Sequence, residues 1–178
     1  MARTQKALPV KLFLGLRIAS PEILKEVTEA LAAKYGDIDL STATFDSVPP
    51  PETEGPIYER KFLSFESLID PGRLSRIKLA TDRVERELKP RRKLATPGPV
   101  LIEPGYITSA KVVLGSRRNA VHRVYIGRGV YGEVTLALHD GAFLPNLWAP
   151  PDYRQEAAIR FFGETHQRYL DQIQLAQG

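Results

Sequence analysis

Charged side chains set inside strand-like segments are the first chemistry this sequence offers. In Tyr58-Glu59-Arg60-Lys61-Phe62, a strand puts Glu59 and Lys61 on one face and Arg60 and Phe62 on the other. Lys111 stands in the otherwise apolar run Ala110 to Leu114, and a hairpin between His122-Arg123-Val124-Tyr125-Ile126 and Val130 to Leu136 sets Arg123 opposite Glu133. Cations embedded in strands lose hydration, and where they outnumber nearby carboxylates they leave a positive pocket that suits phosphate or carboxylate. On this reasoning Lys61, Lys111, Arg123 and Glu133 line an anion site, with Tyr106 and Tyr131 at its aromatic rim and Arg123 supplying the planar fork. The competing reading is a solvated sheet face laced by cross-strand pairs, worth about 0.2–1 kcal/mol each.

Gly127-Arg128-Gly129-Val130-Tyr131-Gly132-Glu133-Val134 fits both the dinucleotide fingerprint and the glycine-rich loop of protein kinases. The first needs a helix after the glycines to receive a pyrophosphate, but Glu133-Val134-Thr135-Leu136 alternates with period two and continues as a strand. The second needs a lysine strand, a catalytic loop and an Asp-Phe-Gly segment, and the sequence has none of them. The glycines are therefore read as a hairpin. A three-residue loop, Gly127 to Gly129, pairs Ile126 with Val130, Val124 with Gly132 and Tyr125 with Tyr131, which gathers the apolar residues on one face. Gly129 then takes a left-handed conformation.

Other reaction classes lack their residues. Without cysteine there is no disulfide, thiolate metal site or thiol nucleophile, a composition that fits a reducing cytoplasm. His122, His139 and His166 have no metal-ligand spacing, and no nucleophile elbow is present, so neither a metal nor a cofactor is expected. The N-terminal apolar stretch is too short and interrupted for a signal peptide, and no run has the length of a membrane span. Net charge is +4, with a local excess at Lys89, Arg91, Arg92 and Lys93. Such a loop, through Arg91, Arg92 and Lys93, is the expected contact for RNA if the protein binds it.

The elements that must position these residues follow from capping and periodicity. The 178 residues suit one α+β domain over 1–178. Pro9 to Ala19 reads as a central strand. Ser20 and Pro21 open a helix that Gly36 closes, and Asp70 and Pro71 open a second. Asp152, with Gln155 three residues on, reads as the cap of a long C-terminal helix. Residues 100–115 fit strand or, in part, short helix. The order predicts an antiparallel sheet with a ferredoxin-like βαββαβ core, an added hairpin and the C-terminal helix.

The blocks Lys61 to Glu85, Glu103 to Ser116, His122 to Leu136 and Trp148 to Arg154 resemble, in order, a bacterial family described only as a domain of unknown function, of the 4416 type. The resemblance covers nearly the whole chain and implies no activity, cofactor or catalytic residue. Three functions stay open: a binding module for an anionic ligand or partner, an enzyme acting on a phosphorylated or nucleotide substrate, and a protein-interaction subunit.

Overall fold

The computed structural model describes residues 6–49, 57–88 and 100–177. The basic stretch with Arg91, Arg92 and Lys93 lies outside them. The chain runs β1 (Val10–Ile18), α1 (Pro21–Tyr35), β2 (Ile38–Ser41), β3 (Phe45–Asp46), β4 (Glu59–Ile69), α2 (Leu74–Leu88), β5 (Leu101–Ile107), β6 (Lys111–Ser116), β7 (Val124–Gly127), β8 (Val130–His139), β9 (Ala142–Pro145) and α3 (Glu156–Gln177). Short 3-10 turns, Pro71–Arg73 and Pro151–Arg154, precede α2 and α3. The fold is α+β, with a nine-stranded antiparallel sheet in the order β2-β4-β1-β5-β6-β8-β7, β3 joined to β4 and β9 to β8.

Alternation along β1 divides the core. Leu12, Leu14, Leu16 and Ile18 pack with Ile23, Val27 and Leu31 of α1 and Ile77 of α2. Phe13 joins Phe62, Leu136 and the Phe161–Phe162 pair of α3 on the other face. Phe13 stands edge-on to Phe162, with centroids 5.0 Å apart, and needs bare backbone beside it. Gly105 provides that, since a Cβ there would fall 2.3 Å from Phe13 and 2.4 Å from the Val113 carbonyl oxygen.

One interruption in this sheet opens a cleft. β5 and β6 pair only over Gly105–Ile107 and Val112–Leu114. Beyond that, the Ile102 N–H donates to Glu85 at 2.7 Å and its carbonyl accepts from Lys78 Nζ at 3.0 Å, both from α2. Backbone direction repeats every second residue, so Pro104 faces the same way and has no N–H to give. The ladder stops there, and the strands part into a cleft between Leu101–Glu103 and Gly115–Arg118.

Several expectations change in detail. Residues 101–107 and 111–116 are strands, with no helix between them. The segment after α1 forms two short strands, β2 and β3, in place of one continuous strand. The β7–β8 hairpin has the expected pairs Val124–Gly132 and Tyr125–Tyr131, but Gly127, not Ile126, faces Val130. The turn is thus two residues, with φ of 60° at Arg128 and 71° at Gly129, as a type I′ turn requires. An extra residue in β7 restores the apolar register. Asp152 does not cap α3. It lies in the preceding 3-10 turn, fully buried, because charges on β1 and β4 claim its carboxylate.

Two glycine substitutions separate crowding from backbone freedom. Gly105→Ala should destabilise by roughly 3 kcal/mol, since backbone as well as side chain must move. Gly163→Ala, in α3 with open space around it, should stabilise by about 0.5–1 kcal/mol. Denaturant unfolding measures both, and equal effects would contradict the packing described.

Candidate functional site

At one end of the α3 face the strands carry charge in place of apolar residues. Arg17 of β1 and Arg60 of β4 are directly opposite each other. Like charges so placed repel, and burial makes it worse. Asp152 resolves the conflict. Its Oδ2 lies 2.8 Å from Arg17 Nη2 and 3.3 Å from Arg60 Nε, while Oδ1 accepts the Val48 N–H at 2.6 Å. Arg60 also forms an ion pair with Glu103 of β5. Its guanidinium carbon stands 4.7 Å over the Phe62 ring and 5.4 Å over Tyr153. Gly15 makes room, since a Cβ there would come within 3.1 Å of Arg60 Nη2.

A second cluster adjoins the first. Glu133 of β8, buried, accepts from Arg123 Nε at 2.5 Å and from Thr135 at 3.3 Å, and lies 3.1 Å from His122 Nε2. Arg123 also donates at 2.9 Å to Ser116 Oγ and to the Arg118 carbonyl, which fixes the loop after β6. His122 stacks on Trp148 at 5.3 Å, and the Trp148 indole N–H donates to the Val134 carbonyl at 2.8 Å. That contact and the Asn146 amide fill the gap between β7 and β9 along β8.

Both clusters border the cleft, a space of about 400 Å³ between β5 and β6 with Arg17, Lys78, Glu103, Ser116, Arg118 and Arg123 in its walls. Glu103 is 28% exposed there, while Arg60 behind it is inaccessible. Burial opposes the charge on Arg60, but Glu103, Tyr153 and Asp152 outweigh it and hold the guanidinium above its ordinary range. Burial pushes the Tyr153 hydroxyl well up, and Glu103 adds to this. That hydroxyl has no hydrogen-bond partner among the described residues, while Arg60 is held by Glu103 and Asp152. Among the described residues no group of three His, Asp or Glu side chains is placed to hold a metal.

Of the residues singled out by sequence, Arg123, Glu133 and Tyr131 come together, Tyr131 pairing with Ser116 and standing edge-on to Tyr125. Lys61, Lys111 and Tyr106 do not join them. Lys61 faces the α1–α2 side opposite Leu16, donates to the Thr42 carbonyl, and is lowered in pKa by burial. Lys111 is exposed at the far end of β6 from Ser116, and Tyr106 packs into the α1–α2 core. The expected convergence of Lys61, Lys111 and Arg123 fails because neighbouring residues on β4 point to opposite faces, and Arg60 is the one aimed at the site. Sequence places Tyr153, with Tyr125 and Trp148, on a candidate aromatic rim, but assigns Arg17, Arg60, Glu103 and Asp152 no part in the site. For Asp152 a helix cap explains the residue equally well.

A family model described as "Domain of unknown function (DUF4416)" matches residues 8–169. No curated protein and no solved structure matches the chain.

The buried pairing predicts that Asp152→Ala costs about 3–5 kcal/mol, because Arg17 and Arg60 then confront each other unpaired. Denaturant unfolding measures this, and a loss below about 1 kcal/mol would contradict the role given to Asp152. Alkaline pH gives a second check. Tyr35 is pushed up to about 12 by burial, Arg73 acting weakly the other way, and burial also raises Tyr106, Tyr153 and Tyr169. The unfolded chain ionises these groups near pH 10 while the fold keeps them neutral, so stability should fall as pH rises from about 10 towards 12. Melting temperatures across that window, with Tyr35→Phe less sensitive than the parent, are the measurement; a flat profile would contradict it.

Proposed function

The chain belongs to the DUF4416 family, whose description assigns no activity, and from the site alone we propose that it binds a small anion-bearing ligand in the cleft between β5 and β6. The observation that carries this reading is the charge balance of the cleft walls. Arg17, Lys78, Arg117, Arg118 and Arg123 stand there against Asp82, Glu85 and Glu103. Arg17 and Arg123 are held in place by Asp152 and Glu133, so they meet a ligand without first losing side-chain freedom. Arg118 has no side-chain partner among the described residues, and its guanidinium is free to close on a phosphate or carboxylate. Glu103 offers an acceptor to a hydroxyl or amine on the same ligand. With Asp82 and Glu85 engaged by Lys78 and the Ile102 N–H, the mix of guanidinium forks and the Glu103 carboxylate suits a ligand with both kinds of group, such as a phosphorylated polyol or a nucleotide.

A second reading, turnover of a phosphorylated substrate, draws on Glu103 alone. A carboxylate part-open to the cleft and backed by buried Arg60 is placed to take or give a proton. A phosphatase and nucleotidase screen in which Glu103→Gln abolishes turnover would favour it.

Binding is tested by thermal shift with pyrophosphate and a panel of nucleoside mono- and diphosphates. A ligand at a hundredfold over its Kd stabilises by about 2.7 kcal/mol, a shift of roughly 5–11 °C for a chain of this size. The shift should appear in the parent and in Lys111→Glu, which is remote from the cleft, and vanish in Arg118→Glu. A panel without any response, or Arg118→Glu responding like the parent, would contradict the proposal.

A further inference from the structure

Helix α2 treats its charges differently from the other helices. On α1 Lys25 faces Glu29, and on α3 Arg160 pairs with Glu156, the i,i+4 arrangement of a solvated face. On α2 the i,i+4 pair of Lys78 and Asp82, at 2.8 Å, is drawn to the sheet side, where Lys78 donates to the Ile102 carbonyl and Glu85 accepts the Ile102 N–H. The outer surface keeps Arg73, Arg76, Arg83 and Arg86 exposed, with Glu87 as the exposed carboxylate among them. Arg76 and Arg83 have no ion pair among the described residues, and Arg86 reaches only the Asp82 carbonyl. Arg76 to Arg86 spans about 15 Å of helix.

Across from this face the loop after β6 presents Arg117, which is about half exposed and touches Asp82 at only 4.0 Å. Arg83 and Arg86 on one wall and Arg117 on the other enclose a groove of about 440 Å³. The groove shares Asp82, Glu85 and Arg117 with the cleft, so the two are continuous.

We infer that this groove is a track for the phosphate backbone of single-stranded nucleic acid, running along α2 towards the cleft. Its chemistry selects that partner. The walls carry three guanidinium forks against two carboxylates already engaged, Asp82 by Lys78 and Glu85 by the Ile102 N–H, with Leu79 as the one apolar contributor, whereas a protein partner needs an apolar interface centre and a membrane surface an inserted apolar face. Backbone phosphates need only cations in sequence along a groove. Cations on two facing walls can grip one strand's phosphates from both sides, which a duplex, presenting a strand at a time to a narrow face, would meet with fewer contacts. The inference extends the cleft reading to a larger ligand but stands on arginines of α2 that the cleft does not use.

The test is fluorescence anisotropy with a labelled single-stranded RNA of about twelve nucleotides in 50 mM salt. Affinity should fall with salt at a log–log slope of about −2, the value for three phosphate contacts at about 0.7 each. Arg83→Glu/Arg86→Glu should weaken binding at least tenfold with an unchanged melting temperature, and duplex RNA should bind at least tenfold more weakly than the single strand. No binding by the parent protein, a double variant that binds as the parent does, or duplex bound equally well would each overturn the inference. The cleft is read separately: if pyrophosphate still stabilises the parent and not Arg118→Glu while RNA fails to bind, the track is refuted and the cleft reading stands.

Discussion

Two arginines face each other across β1 and β4, and a single buried carboxylate reconciles them. Without Asp152, Arg17 and Arg60 would repel where Arg60 is inaccessible to solvent and Arg17 only part-exposed, so screening is weak. Asp152 comes from the 3-10 turn before α3, so the ion pairs also fasten that turn to the sheet and set where α3 begins. The Val48 N–H on the same carboxylate ties in the segment after β3. Charge satisfaction here takes the place of apolar packing, and the fold keeps polar groups in its interior that an apolar core would not need. Such groups are costly, and the proposed ligand site beside them would use their rigidity, since Arg17 and Glu103 are held in place at its wall.

The cleft itself follows from backbone arithmetic. Pro104 withholds one donor on the side facing β6, and Ile102 finds its partners in Glu85 and Lys78 of α2. Those side chains serve the sheet and are withdrawn from the outer surface of α2, which keeps Arg76, Arg83 and Arg86 exposed.

Much of the frame was legible in the sequence. Ser20, Pro21 and Gly36 bound α1, and the hairpin pairs Val124–Gly132 and Tyr125–Tyr131 follow from burial alternation. The Arg123–Glu133 pair was legible for the same reason: both residues lie within one hairpin, where register is local. What escaped was non-local. Arg60 and Lys61 are adjacent and alike in charge, and only the strand's place beside Gly15 and Phe62 decides which enters the site. Asp152 follows Pro151 and precedes Gln155, so local rules make it a cap, while its actual partners lie more than ninety residues away in sequence. The stop at Pro104 could be suspected from proline alone, but Glu85 and Lys78 as its replacements depend on how α2 lies over β5.

The most direct measurement is a crystal structure of the protein grown with pyrophosphate. The account predicts the anion in the opening between Glu103 and Ser116, within hydrogen-bond distance of Arg118 and of Arg17 or Arg123, with Asp152 still between Arg17 and Arg60. A structure in which the anion lies elsewhere, or in which β5 and β6 pair through to Leu101 and leave no cleft, would contradict it.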